Sequence, residues 1–463
     1  MTRAVARQGR RRAVAVLAAL LAALLAAPAP ARALGLSEEQ ELGARFALEA
    51  RRRLTLLREP AVTAYLRRVG NRLVSRLDSR TFSYRFYVVH DTSLNAFAVP
   101  GGHVYTNAGL LTGVASEAEL AGVLGHEIVH VQAHHVVRQQ EKTALVNYGT
   151  LLGLFLSAVH PALGASAVAA GAAVQLKYER EFEQEADHVG LDLVRSAGFD
   201  PRGLPSFLRT VQREQRLNPT RLPPYFLSHP LTEDRLSALE QRAESTPPPP
   251  PRPGGEMELA ATQAIVRALT GARGAAVPAY RERLARAPES AEAQHLLGLI
   301  YLYGGDADAA EPLLAAAAAG QSPRAGGDHG RALVRLGRHA AAREELEAHL
   351  RAYPDDPPIT VELARLKLGA GELKASAALL ESALAADPEL DDAEYALAEC
   401  RGKQGDARGQ WWHLGRAFEL RGEFDRALSA FDKARELSAE DSPEREEVER
   451  EMRKVARALG RVR

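Results

Sequence analysis

Residues Ser116–Val131 read SEAELAGVLGHEIVHV, and this stretch decides how the chain is interpreted. Ser116 with Glu119 has the form of a capping box, opening a helix ahead of Leu120, Val123 and Leu124. The apolar pattern continues through Ile128, Val129 and Val131, so the helix is expected to be buried. His126 and His130 lie one turn apart, separated by about 40° around the axis and about 6 Å along it. Both rings can therefore reach one metal ion, with Glu127 about 100° from His126 and placed to serve as a base. Burying two imidazoles without partners is costly, and a metal removes that cost.

Three protein ligands and one open position make a catalytic zinc site, so a third ligand is required. The metzincin solution needs a histidine six residues after His130, where Val136 stands, and a glycine where Ala133 stands. A glutamate from a later helix is the other solution, and Glu179–Asp187 (EREFEQEAD) is the obvious source. On a helix Glu183 and Asp187 share a face, while Glu185 points about 200° away from Glu183. Asp187 can accept a ring N–H from a ligand histidine and fix its tautomer. Glu179 lies on the same face one turn earlier, and spacing alone leaves it open.

These residues carry a resemblance. HEIVH, then EFEQEADHVG, then Ser228-His229-Pro230 with Arg235 (SHPLTEDRL), together with the segment Asn95–Tyr105 (NAFAVPGGHVY) and Asn107–Leu111 (NAGLL), resemble the gluzincin metallopeptidases of the HtpX and CAAX prenyl protease family. The likeness runs from about Leu36 to Arg242. It implies one zinc per chain, with Glu183 as the third ligand and Asp187 orienting a ligand histidine. It implies further that His229 lies near the metal, where it can aid catalysis or occupy the fourth position, with Arg235 close by; His229 or Arg235 is expected to help the metal stabilise the developing oxyanion. His135 matches a histidine often seen after this motif, and no role is assigned to it. His134, His160 and His188 are read as surface or packing residues.

The expected fold is mainly α: an α+β zincin-type domain with a small β-sheet, then an all-α tetratricopeptide-repeat solenoid. Leu36–Leu77 is helical with a break at Glu59-Pro60, Thr81–Val89 reads as a strand, and Ala96–Thr106 as a hairpin turning at Pro100-Gly101-Gly102. Asn95, Ala96, Phe97 and Ala98 are expected to offer an edge to an extended substrate, a mode that favours unfolded or misfolded protein segments. Between Lys142 and Lys177 there is no charged residue. Residues 143–176 then form either a helical hairpin on the protease domain or a segment in contact with membrane.

Thr246–Gly255 (TPPPPPRPGG) is a spacer, giving divisions at 1–33, 34–245, 246–256 and 257–463. Beyond the spacer Gly305, Gly337, Gly371 and Gly405 recur at near-constant intervals, with Leu297-Gly298-Tyr301 and Leu414-Gly415-Phe418 echoing one another. This is similar to the tetratricopeptide repeat, whose small residues let paired helices pack closely.

Five arginines from Arg3 to Arg12, an apolar core at Ala13–Ala27 and Ala31-Arg32-Ala33 read as a signal peptide cleaved after Ala33. The apolar core is short for a membrane span, and no cysteine follows to carry a lipid. With these features the layout resembles that of the family's periplasmic members that assist outer-membrane protein assembly, which implies a periplasmic location. The repeats would then bind a periplasmic or outer-membrane assembly complex. Zero net charge over 463 residues argues against nucleic acid as a partner, and the single Cys400 rules out an internal disulfide or a cysteine-based zinc site. The competing class is a chaperone or scaffold whose zinc site is structural or latent. An intact Glu127 argues for an enzyme, since a structural site needs no base.

Overall fold

The computed structural model describes residues 35–143, 180–217, 224–245, 247–250, 252–271, 273–459 and 461. The expected signal segment, nearly all of the uncharged run at 143–176, and Thr246 and Pro251 of the spacer lie outside them. Among the described residues no helix is long and apolar enough to cross a membrane.

The N-terminal region comprises α1 (Leu36–Arg53), α2 (Pro60–Val74), β1 (Arg85–Val89), β2 (Ala96–Val99), β3 (His103–Asn107), α3 (Ala108–Gly113), α4 (Glu117–Gln132), α5 (His135–Thr143), α6 (Arg180–Ser196), α7 (Gly203–Leu217), α8 (Pro224–Ser228) and α9 (Glu233–Glu244). The sheet order is β1-β3-β2, with β3 parallel to β1 and antiparallel to β2. Ala96 pairs with Thr106 and Val99 with His103, so the hairpin turns where expected. Gly101 and Gly102 adopt φ of 82° and 91°, the left-handed region that glycine enters without penalty. The first strand is shorter than Thr81–Val89. Its partner β3 begins at His103 opposite Arg85, so residues 81–84 have no strand to pair with.

Helix α4 has the Ser116 cap that the sequence anticipates, but not the full reciprocal capping box. Ser116 Oγ accepts from the Glu119 N–H at 3.2 Å, while Glu119 Oε2 accepts from the Ala115 N–H at 2.7 Å, one residue earlier than a capping box requires. Leu120, Val123, Leu124 and Ile128 are fully buried, so the helix runs through the core. Two glycines set its crossing with α6. A Cβ on Gly125 would lie 2.8 Å from Val194, and one on Gly190 would lie 3.2 Å from the His126 backbone nitrogen. This close approach carries the acidic face of α6 to the histidines of α4.

The C-terminal helices are α10 (Gly255–Leu269), α11 (Arg273–Arg286), α12 (Ala291–Tyr303), α13 (Ala307–Ala319), α14 (Ala325–Arg335), α15 (His339–Ala352), α16 (Pro357–Gly369), α17 (Leu373–Ala386), α18 (Asp391–Lys403), α19 (Ala407–Arg421), α20 (Phe424–Glu436) and α21 (Pro443–Ala458). The four recurrent glycines sit in the turns between paired helices with φ between 72° and 86°. Gly298 faces Leu314, and Gly415 faces Phe431, at distances that exclude any side chain.

This array packs on the N-terminal region. Met257, Ile265, Leu296 and Ile300 share one core with Leu66, Leu111 and Leu120. Gln263 Nε2 donates to the carbonyls of Leu111 (3.0 Å) and Val114 (2.8 Å). Farther along, Glu389 meets Arg51, Arg67 and Arg85, and Leu48 joins Phe418, Phe424 and Phe431. Part of the repeat surface expected to receive a partner thus faces α1, α2 and β1 of the same chain.

Candidate metal centre

His126 and His130 on α4, Glu183 on α6 and His229 at the end of α8 converge in the core, each at most 2% exposed. One ligand-type atom from each lies within 4.8 Å of all the others. The Nε2 atoms of His126 and His130 are 3.0 Å apart, and His126 Nε2 is 3.3 Å from His229 Nδ1. Glu183 Oε1 stands 2.9 Å from His229 Nδ1 and 3.4 Å from His130 Nε2.

These spacings fit a divalent ion. Tetrahedral zinc with bond lengths of about 2.0–2.2 Å holds its donor atoms about 3.3 Å from one another. Ring nitrogens that face each other repel when both present lone pairs, and a shared cation relieves this. Charge agrees. Among the described residues Glu127, Glu183 and Asp187 gather here against the guanidinium of Arg235, leaving two negative charges when the three carboxylates are ionised and the rings neutral. Nitrogen and carboxylate donors are those zinc takes. Glu179, which spacing left open as a ligand, lies outside the described residues.

Burial and neighbours pull the groups apart in proton affinity. Burial drives His130 well below the ordinary histidine value, with Glu183 only partly opposing it. Burial would raise Glu183, but His229, His130 and His126 outweigh it and hold this carboxyl well below its usual range. Burial also raises Glu127, and there His229 and His126 fail to compensate. His229 is raised, since Glu127 and Glu183 overcome the effect of burial.

Glu127 is fixed from two sides. Its Oε1 lies 3.3 Å from His229 Nε2, and its carboxylate accepts the backbone N–H of Ala98. Ala98 belongs to β2, the edge strand whose residues Ala96, Phe97 and Ala98 follow Asn95, all four of them buried. Asp187 Oδ1 is 3.1 Å from His126 Nδ1, the outer nitrogen of that ring. Arg235 is held by carboxylates: its Nε and Nη2 donate to Asp187 at 2.7 and 2.9 Å, and its Nη1 lies 2.6 Å from Glu183.

Three residues to which the sequence assigned no role enter the site's surroundings. Tyr225 stacks on His229 with ring centroids 4.8 Å apart, its hydroxyl buried without a hydrogen-bond partner among the described residues. His135 Nδ1 lies 2.8 Å from His130 Nδ1, and Glu185, set aside as facing away, lies behind His135. The motif after HEIVH flagged His135, whereas nothing in helical spacing could flag Glu185.

Residues 60–243 match the model of peptidase family M48, and residues 301–357 and 333–400 match tetratricopeptide repeat models. A beta-barrel assembly-enhancing protease of Yersinia pestis is 33% identical over 225 residues, 47% of this chain and 46% of that one. A Vibrio cholerae protein assigned the same name is 33% identical over 291 residues, 60% of each chain. The mitochondrial metalloendopeptidase OMA1 of Arabidopsis thaliana is 33% identical over 159 residues, 34% of this chain and 31% of that one. The chain thus spans between about half and three fifths of the length of the two bacterial relatives. HEIVH, the acidic face of α6 and His229 all fall inside the matched stretch, and residues 60–243 are a peptidase family M48 domain followed in the same chain by tetratricopeptide repeats.

Proposed function

We propose that this chain is a zinc-dependent endopeptidase of the bacterial periplasm that degrades misfolded or stalled outer-membrane proteins and assists their assembly. The observation that carries the reading is the buried convergence of His126, His130, Glu183 and His229 beside the pinned carboxylate of Glu127. Membership of the domain in a peptidase family and the names of the bacterial relatives support it.

His126, His130 and Glu183 would hold the zinc. When bound, it supplies Lewis acidity that polarises the scissile carbonyl and makes water a competent nucleophile at neutral pH. Glu127 takes the proton of the attacking water on its carboxylate and hands it to the leaving amine. Its raised proton affinity suits it to both steps, and the Ala98 N–H keeps it aimed. Asp187 orients His126, and Arg235 orients Asp187 and Glu183. Backbone pairing along the β2 edge at Asn95–Ala98 would lay an extended substrate beside Glu127, which selects unfolded segments. The repeats serve as the module for an assembly complex.

His229 sits among the ligand atoms rather than at the rim. We read it as filling the fourth position at rest, which keeps the enzyme latent until substrate or partner displaces it. The test compares casein and misfolded-barrel degradation by the zinc-loaded wild type, Glu127→Gln and His229→Ala. Loss of hydrolysis in Glu127→Gln alone is expected, and equal rates in wild type and Glu127→Gln refute the enzyme. Higher basal activity in His229→Ala supports the latch, whereas lost activity makes His229 a catalytic aid.

A further inference from the structure

We propose that His135, backed by Glu185 and Arg138, is a positioning residue for the metal ligand His130. The inference rests on the zinc reading above and deepens it. On one side of the site, the outer nitrogen of His126 meets Asp187 at 3.1 Å, and Asp187 is gripped by Arg235. On the other side, the outer nitrogen of His130 meets a second imidazole. It faces His135 Nδ1 at 2.8 Å, His135 Nε2 lies 3.3 Å from Glu185 Oε2, and Arg138 Nη1 lies 2.9 Å from the same oxygen. Each ligand ring thus has an acid–arginine pair behind it. On the His130 side a second imidazole spans the gap.

The protons have one consistent arrangement. His130 Nε2 points into the donor cluster and must offer its lone pair there, so its proton sits on Nδ1. His135 accepts that N–H on its own Nδ1 and carries its proton on Nε2, directed at Glu185. The relay therefore fixes the tautomer and the ring plane of His130, as a carboxylate does for His126.

A reversal of the chain makes this contact. On an uninterrupted helix residue 135 would lie about 140° around the axis from His130. Instead α4 ends, and His134 takes a left-handed φ of 54°, uncommon for a residue with a side chain. Its Nδ1 is held 2.6 Å from Glu39 Oε2 of α1. The turn brings His135, fully buried, back under His130. His135 also stacks on Phe182, with centroids 4.7 Å apart and planes 20° apart, which supplies a purely structural explanation to be excluded.

His135→Phe separates the two, because it keeps a flat ring against Phe182 and removes the acceptor. Chelator-competition titration of the full chain with zinc, and the visible spectrum of the cobalt-loaded protein, are the readouts. The expected result is zinc binding weakened about ten- to hundredfold in His135→Phe with altered cobalt bands. His135→Gln, which retains an acceptor, should bind within a few-fold of wild type. Glu185→Gln, at the half-exposed end of the relay and safe for folding, should weaken binding in the same direction by a smaller factor. Equal affinity and identical cobalt spectra for wild type, His135→Phe and Glu185→Gln overturn the relay alone. A wild type that binds no zinc overturns the reading beneath it.

Discussion

Two of the clusters of charged groups buried among the described residues differ in what they lack. Around Glu389, Arg51, Arg67 and Arg85 supply guanidinium groups at 3.3–3.4 Å, Asp387 pairs with Arg67, and Tyr87 donates to Glu389 at 3.2 Å. Burial would raise the Glu389 carboxyl, but Arg51, Arg85 and Arg67 outweigh it and hold it below the usual range. Donors and acceptors answer one another, and the cluster ties the repeats to β1 and to helices α1 and α2. The group around His126 brings several ring nitrogens and carboxylates together, with two surplus negative charges when the carboxylates are ionised and the rings neutral. Burial of charge alone therefore does not mark a functional site; an unfilled balance does.

The sharpest way to break this comparison is to remove one acid from each cluster. Glu127→Gln should lower peptide hydrolysis by about 10²–10⁴-fold, the usual worth of a general base, while leaving the unfolding midpoint unchanged. Glu389→Ala should do the reverse, costing about 3–5 kcal/mol in denaturant unfolding because three arginines lose their shared partner. A Glu389→Ala protein as stable as wild type would show that the interdomain cluster is decorative.

A smaller effect sharpens the same contrast through pH. His103, stacked on Tyr87 beside the Glu389 cluster, is pushed by burial to about 3. In the unfolded chain it titrates near about 6.5, so between these values the unfolded state binds the extra proton and stability falls as pH falls. Glu389 acts in the same direction lower down: its contribution is complete above the unfolded carboxyl value and is lost as pH falls through the depressed folded one. His103→Gln should flatten the stability profile between pH 4 and 6 by up to about 1.4 kcal/mol per pH unit. An unchanged slope would mean that His103 is not held neutral.

Much of this was legible in the chain. The period of the apolar residues gave α4, the glycines gave the hairpin and the repeat turns, and the i, i+4 spacings gave His126 with His130 and Glu183 with Asp187. What escaped depends on tertiary geometry. Arg235 reads as a catalytic group for the oxyanion, whereas the crossing of α9 with α6 commits its guanidinium to Asp187 and Glu183. Glu185 truly points away from Glu183 around α6, yet it rejoins the site through His135. That link needs a left-handed turn at His134, where a glycine or asparagine would have announced it and a histidine does not. The docking of the repeats through Glu389 was equally hidden, because its partners Arg51, Arg67 and Arg85 lie more than three hundred residues earlier.

The central claim is that the chain binds one zinc ion between α4 and α6. Elemental analysis of the purified full chain measures this directly. One zinc per chain in the wild type, absent from the His126→Ala/His130→Ala double variant, is the expected result. Wild-type protein that stays metal-free after incubation with zinc, or a double variant that retains a full equivalent, would contradict it.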